Sequence, residues 1–203
     1  TWIQLSVINT VDIPIIVMHV LYFILWYFGA DPVPLFLALY LVLFMYYVVR
    51  FFMQRSITAR VDRQLPNEYV TRTFCMPTIH FFEWRIVVVT QTAYYVGRSF
   101  RGNILFYDRF NKSGPLDEEK FQSIKEDPNF KAFTFFSSIY TYETEEISED
   151  QEEIRYIDLR YLKEGHYPFV CIMLLDRHTN EVLHSYTGWV FSESKLQKKL
   201  LDS

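Results

Sequence analysis

Two long apolar stretches dominate the N-terminal third of the chain. Residues 13–30 and residues 32–49 each form a run of 18 positions without Asp, Glu, Lys or Arg. A helix of that length measures about 27 Å, close to the roughly 30 Å hydrocarbon core of a bilayer. Asp31 and Pro32 are typical of a turn that ends one helix and begins the next. The pattern predicts a transmembrane helical hairpin, with spans over about 13–30 and 32–53, rather than two buried helices of a soluble protein.

Basic residues set the expected orientation of this hairpin. Four arginines follow the second span, and no Lys or Arg stands between residue 1 and the first span. They are Arg50, Arg55, Arg60 and Arg63. Because cytoplasmic loops carry the excess of basic residues, we expect both ends of the hairpin in the cytoplasm and the membrane as a partner of the chain.

The pattern changes after Pro66 to short β-rich runs separated by polar or glycine-containing turns. Runs of this kind are typical of strands, and short connections favour an antiparallel arrangement. The predicted strands are 83–90, 93–98, 103–107, 139–144, 153–162, 167–176 and 181–190.

Helix-start signals interrupt and follow these strands. The acidic residues 117–119 open a helix over 116–125, and Asp127 with Pro128 begins a second one. Ser192 is expected to cap a closing helix that ends at about residue 201. The predicted fold class is α+β: a transmembrane helical hairpin, then a β-rich soluble domain of about seven antiparallel strands with two inserted helices and a C-terminal helix. The predicted domains are 1–66, the hairpin with its juxtamembrane segment, and 67–203, the β-rich cytoplasmic domain.

Composition narrows the classes of function. A net charge of −4 provides no basic field for nucleic acid, and a chain that is 50% hydrophobic is not disordered. Two cysteines, Cys75 and Cys171, without a CxxC motif exclude a disulfide framework and a cysteine-rich zinc module. No GxSxG, P-loop, HExxH or GxGxxG motif occurs, so no catalytic motif identifies an enzyme.

Two groupings of polar residues in the β-rich region are candidates for a binding site. Asp158 and Arg160 alternate along one predicted strand and therefore share a face, where they form an ion pair or bind a ligand. His166 stands in the connection Gly165–Pro168, which presents a histidine to a site or is a plain turn.

Several strings carry a resemblance to a known family. The more specific ones are 157–161 (IDLRY), 165–170 (GHYPFV), 185–189 (SYTGW), 191–193 (FSE) and 195–196 (KL). Weaker support comes from 77–78 (PT), His80, 84–85 (WR), 95–96 (YV) and 98–99 (RS). With these strings the chain resembles the C-terminal part of the YdjM/YfhP-type membrane-bound metal-dependent hydrolases, and more closely the YfhP type of Gram-positive bacilli.

The resemblance implies a fragment of a longer protein, whose metal-binding His and Asp motifs lie on helices before the region present here. It implies a divalent metal, zinc by similarity to the zinc-dependent phospholipase C and nuclease group, and the cleavage of phosphoesters by metal-activated water. It also implies the bacterial inner membrane as location, with the β-rich domain in the cytoplasm. Asp12 is the one candidate metal ligand here, although Ile13 follows it where the family more often has Pro.

The remaining candidates form one group, proposed as a ligand or partner site. It consists of Arg85, Arg98, Asp158, Arg160, His166 and Trp189.

Two hypotheses about function follow. In the first, the chain is the C-terminal portion of a membrane-bound metal-dependent hydrolase, and its catalytic residues lie mostly outside the chain. In the second, it is a membrane-anchored, non-catalytic binding or regulatory module with a protein partner.

Overall fold

The computed structural model describes residues 7–8, 11–112, 114, 116–162 and 165–190. The chain separates into two compact units, Thr1–Arg109 and Phe110–Ser203. The first unit holds helices α1 (Ile13–Tyr27) and α2 (Pro32–Gln64) and strands β1 (Val70–Pro77), β2 (Glu83–Thr90), β3 (Ala93–Phe100) and β4 (Asn103–Asn111, crossing the boundary). The second unit holds α3 (Glu118–Glu126), α4 (Pro128–Phe136) and strands β5 (Tyr140–Glu146), β6 (Gln151–Asp158), β7 (Phe169–Asp176) and β8 (Val182–Trp189).

Helix α1 is apolar but shorter than the first predicted span. Asp12 caps its start, because the carboxylate Oδ1 accepts from the backbone N–H of Ile15 at 3.3 Å. Gly29 adopts a left-handed φ of +95° just beyond its end, and the helix stops at Tyr27. Fifteen residues rise about 22 Å, which is less than the predicted 13–30 segment would cover.

Helix α2 is longer than the second predicted span. The carboxylate of Asp31 accepts from the backbone N–H of Val33 at 3.0 Å, and Pro32 occupies the first turn, as the turn signal predicts. The helix then runs for 33 residues, well past the predicted end at residue 53. It continues because Ile57 and Val61, four residues apart, keep one apolar face that packs on the first sheet.

The first sheet is antiparallel, with the strand order β1-β2-β3-β4. Trp84, Ile86 and Val88 alternate along β2 and form with Ile57 and Val61 of α2 the core of this unit. The sequence analysis missed β1, because its Thr and Arg positions interrupt the apolar pattern and much of the strand is only half-buried.

The second sheet is also antiparallel, in the order β5-β6-β7-β8. Helices α3 and α4 pack against it around Phe133, Tyr156 and Met173. The predicted start of α4 is confirmed: Asp127 Oδ1 accepts from the backbone N–H of Phe130 at 2.9 Å, and Pro128 is the first helical residue.

The α+β class with antiparallel strands is confirmed, with two differences in detail. The described residues contain eight strands rather than about seven, and these form two sheets in two units, where the sequence analysis placed a single β-rich domain over 67–203. Two helices separate β4 from β5 along the chain, and each sheet has its own core, which explains the division. The predicted C-terminal helix over 192–201 lies outside the described residues.

Candidate functional site beside the apolar helix

A fully buried arginine in α2 marks the first candidate site. Arg50 donates from Nη1 to the backbone carbonyl of Phe81 at 2.6 Å, and its guanidinium carbon lies 4.2 Å from the centroid of the Trp84 ring. Within the described residues, the Nε and Nη2 of Arg50 and the Nε1 of Trp84 are buried without a hydrogen-bond partner. Because most buried donors in folded proteins are paired, such groups require a specific explanation, and for Arg50 the contact of its guanidinium with the Trp84 ring compensates for part of the loss.

A groove of about 480 Å³ opens beside the same tryptophan. Its lining consists of Met53, Ser56, Ile57, Arg60, Phe82, Trp84, Arg101 and Gly102. The lining combines apolar walls with two exposed arginines, and we call it the arginine groove. Walls of this kind with a few charged groups are typical of sites for small amphiphilic ligands.

The two arginines of the groove reach it from different elements. Arg60 of α2 donates from Nη1 to the backbone carbonyl of Gly102 at 2.8 Å. Arg101 and Gly102 form the turn between β3 and β4, with φ values of +51° and +85°, as a two-residue hairpin turn requires. The Arg101 guanidinium carbon lies 5.9 Å from the ring centroid of Phe82. In the part of the chain that the structure describes, neither arginine pairs with a carboxylate.

Asp12, the candidate metal ligand, serves another role in this structure. Tyr46 donates from its hydroxyl to both carboxylate oxygens of Asp12 at 2.9 Å, and the same carboxylate caps α1. Among the described residues no group of three or more His, Cys, Asp or Glu side chains is close enough to hold a metal ion. The residues described here therefore do not fit the divalent metal that the family resemblance implies.

Arg85 and Arg98 lie opposite one another on β2 and β3. Side chains alternate between faces along a strand, so Arg85 points away from the face of Trp84 and of the arginine groove. Arg98 Nη1 lies 3.5 Å from Oε1 of Glu83, and in this ion pair the arginine is about half exposed whereas the glutamate is partly buried. The structure thus brings these two predicted residues together in the first unit.

Asp158 and Arg160 form a buried ion pair in the second unit. Arg160 donates from Nε to Asp158 Oδ1 at 2.9 Å and from Nη2 to Oδ2 at 2.5 Å. The same Nη2 donates to the backbone carbonyl of Phe136 at 2.6 Å, which ties the end of α4 to the end of β6. Of the two interpretations left open by the sequence, the structure shows the ion pair.

The other two predicted residues are also in the second unit. Trp189 lies at the end of β8, with its ring centroid 5.1 Å from that of Tyr161, and the Arg160 guanidinium carbon lies 5.1 Å from the Tyr161 centroid. His166 is exposed in the connection before β7, and within the described residues no hydrogen bond joins it to Asp158, Arg160 or Trp189. The structure therefore links Asp158, Arg160 and Trp189 but not His166.

The sequence analysis missed both the buried Arg50 and the arginine groove. Arg50 and Arg60 counted only toward orientation, and Arg101 fell in the connection between the predicted strands 93–98 and 103–107. For Arg50, its place directly after the uncharged run 32–49 was the available signal. The partners Phe81, Trp84 and Gly102 are far away in sequence, and only the docking of α2 on the first sheet brings them close.

Charge is divided unequally between the two units. Residues 1–109 contain nine Arg, no Lys and six Asp or Glu, a net charge of +3. Residues 110–203 contain eleven Lys or Arg and eighteen Asp or Glu, a net charge of −7. The net charge of −4 is therefore the sum of a basic first unit, which contains the apolar helices, and an acidic second unit.

Comparison with known proteins places this architecture in a family. The YfhP middle domain matches residues 66–110, and the YfhP C-terminal alpha/beta plait domain matches residues 119–200. The chain is 41% identical over 199 residues to the uncharacterized protein YfhP of Bacillus subtilis (strain 168), a match that covers 98% of this chain and 60% of that protein. No solved structure matches the chain significantly. The two domain matches and this relative agree with the two units of the structure, and the chain belongs to the YfhP-type family.

Proposed function

We propose that the chain is the membrane-anchored portion of a YfhP-type phosphoester hydrolase, and that the arginine groove holds the phosphate of a phospholipid headgroup at the cytoplasmic face of the bacterial inner membrane. One observation carries the proposal. The groove places two guanidinium groups, which have no carboxylate partner among the described residues, directly where the apolar part of α2 ends.

The exposure of α2 supports the anchor. Its most apolar window of 18 residues has a mean hydropathy of 2.1, and only 17% of that window is buried within the structure. The core helix of a soluble protein would be covered by its own chain, whereas Leu37, Leu41 and Phe44 are each more than half exposed. In a bilayer, the hydrocarbon chains of the lipids would cover these exposed apolar side chains.

The position of the groove along α2 matches the depth of a lipid headgroup. The predicted span ends at Met53, and the groove begins at Met53 and extends to Arg60. Seven residues of helix rise about 10 Å. Each polar layer of a bilayer is about 5–8 Å thick, so a span that ends at Met53 places the groove at this level.

Charge and aromatic residues around the groove suit an anionic headgroup. Guanidinium groups donate paired hydrogen bonds to phosphate oxygens, and a basic surface near an anionic membrane gains about 1 kcal/mol per arginine. Phe82 and Phe100 are each 49% exposed beside Arg101. Exposed aromatic rings are enriched at this depth in membrane proteins.

The hydrolytic part of the proposal rests on the resemblance described above. Metal-activated water would supply the chemistry from a centre outside the described residues, since these do not gather three metal ligands. The chain covers 60% of the length of its B. subtilis relative, and the proposal assigns this centre to a part of the protein beyond the given sequence. Within this account the described residues anchor the enzyme and hold the headgroup of its substrate.

Retention of phospholipid tests the groove. The full chain is purified in mild detergent, and bound phosphatidylglycerol is measured by native mass spectrometry. The double variant Arg60→Gln, Arg101→Asn should weaken retention by about tenfold, since charge-assisted hydrogen bonds to the phosphate are lost. Asn at position 101 tolerates the positive φ, so the turn is preserved.

Arg72→Gln, in the same unit but outside the groove lining, is the matched control. It removes one charge and should retain the lipid as the original chain does. Equal retention by all three proteins would rule out the groove as the phosphate site.

Kinetics of the longer parent protein test the hydrolase. The groove variants should raise KM for a phosphodiester presented in vesicles and leave kcat for a small soluble phosphodiester unchanged. Removal of the divalent metal by a chelator should abolish hydrolysis of both the vesicle-bound and the soluble phosphodiester. A parent protein that binds no divalent metal and cleaves neither substrate would contradict the hydrolase.

A membrane-anchored module without chemistry is the second candidate function. The favouring observation is that the described residues bring no three His, Cys, Asp or Glu side chains together for a metal ion, while each unit has a buried core of its own. If the parent protein is inactive but the lipid retention above depends on Arg60 and Arg101, this module is the better account. A protein partner would then be sought on the acidic second unit.

A further inference from the structure

A second cavity lies in the C-terminal unit, between α3, α4 and the first two strands of the sheet. Its volume is about 530 Å³, enough for a small organic molecule. The lining consists of Gly114, Leu116, Glu118, Phe121, Phe130, Tyr140, Tyr142 and Tyr156. Five of these eight residues are aromatic, and we call the cavity the tyrosine pocket.

Tyr156 lies at the centre of the aromatic lining. The Tyr156 ring centroid is 4.8 Å from that of Phe130, 5.6 Å from that of Tyr142 and 5.9 Å from that of Tyr140. The Tyr156 side chain is almost completely buried, and none of the described residues forms a hydrogen bond with its hydroxyl. Burial raises the pKa of Tyr156, so the phenol stays protonated and needs an acceptor that the described residues do not supply.

The charge of the pocket lining selects the kind of ligand. Among the described lining residues, Glu118 in the first turn of α3 is the one that carries a charge, and none is basic. The unit as a whole carries a net charge of −7. An anionic ligand is therefore disfavoured, while the negative faces of aromatic rings attract a cation, above all one with apolar substituents.

We propose that the tyrosine pocket binds an organic ammonium ion with small apolar substituents and a hydroxyl or carbonyl oxygen, such as choline. The ring faces and Glu118 attract the cationic centre, and the ligand oxygen accepts from the hydroxyl of Tyr156 once a small movement of the lining side chains opens this buried hydroxyl to the pocket. This site is independent of the arginine groove and of the membrane anchor.

Titration of the full chain in detergent with choline tests this proposal, with 3,3-dimethylbutan-1-ol as the neutral molecule of the same shape. Saturation-transfer NMR detects both ligands directly. We expect choline to bind about tenfold more tightly than the neutral alcohol, because contacts between a cation and several aromatic rings raise affinity by about this factor. Equal binding of the two would show an apolar cavity without preference for charge and would overturn the proposal.

Two further variants locate the site. Glu118→Gln should weaken choline binding about threefold to tenfold and leave binding of the neutral alcohol unchanged. Tyr156→Phe removes a hydroxyl that forms no hydrogen bond with the described residues, so the protein should fold normally and bind choline more weakly.

Glu119→Gln is the matched control, because Glu119 lies next to Glu118 on α3 and does not line the pocket. It should bind choline as the original chain does. An equal loss in the two glutamate variants would assign the effect to general acidity, and no binding at 100 mM choline would refute the site.

Discussion

Arg160 joins two elements through one side chain. It forms a two-point ion pair with Asp158 and also donates to the backbone carbonyl of Phe136. The sequence predicts that Asp158 and Arg160 share a face, because they alternate along a strand, and the structure shows them in contact. The carbonyl of Phe136 is 24 positions away, and nothing local indicates it.

Loss of this arginine should destabilise the second unit strongly. Arg160→Leu leaves the fully buried Asp158 carboxylate without its cation, and breaking a buried ion pair from one side costs about 3–5 kcal/mol. Chemical denaturation followed by fluorescence measures the change in free energy of unfolding. The control Arg177→Leu removes an exposed partner of Glu146 and should cost less than about 1 kcal/mol. Equal losses in the two variants would contradict a structural role specific to Arg160.

The start of α4 shows how much of an element local sequence determines. Asp127 accepts from the backbone N–H of Phe130 and also from the hydroxyl of Ser185 on β8, at 2.8 Å. The Asp-Pro pair predicts the cap, whereas the tie to β8 depends on the docking of the helix on the sheet. Strand β1 is the opposite case, because its apolar pattern is too diluted to be recognised and its place is determined by pairing with β2.

Removal of this cap should weaken the second unit by a moderate amount. Asp127→Ala loses the helix cap and the Ser185 hydrogen bond together, for an expected cost of about 1–2 kcal/mol. Asp117 precedes α3 in the same way but makes no side-chain cap hydrogen bond. Asp117→Ala should therefore change the free energy of unfolding by less than about 0.5 kcal/mol. Thermal unfolding of both variants measures the difference, and a larger effect at Asp117 would refute the assignment of the cap.

At the scale of the whole molecule, each unit contains one buried cysteine. Burial raises the pKa of both Cys75 and Cys171 to about 12, so at pH 8 each remains a protonated, unreactive thiol. Neither should be alkylated by iodoacetamide until the unit that holds it opens. Single-cysteine variants, Cys75→Ser and Cys171→Ser, report the opening of each unit separately in a denaturant series. Rapid alkylation of either thiol in the native protein would contradict the core to which it is assigned.

The sequence predicts the class of fold and two apolar helices in the N-terminal third, because long apolar runs and strand alternation are local patterns. The division into two sheets was not predicted, since seven short strands are compatible with one sheet or two. The arginine groove was not predicted either, because Arg60 and Arg101 meet only when the hairpin turn reaches α2. The groove is thus a property of tertiary packing, and its role as a headgroup site stays a prediction.

The depth of α2 in a bilayer tests the central claim most directly. Fluorescent labels on cysteines introduced at Leu41, in the middle of the apolar run, and at Gln91, in the turn between β2 and β3, are compared in reconstituted vesicles. Our account predicts that quenchers on lipid chains affect the label at position 41 and aqueous iodide does not, with the reverse at position 91. A label at position 41 that iodide quenches as efficiently as the label at position 91 would show that α2 does not enter the membrane.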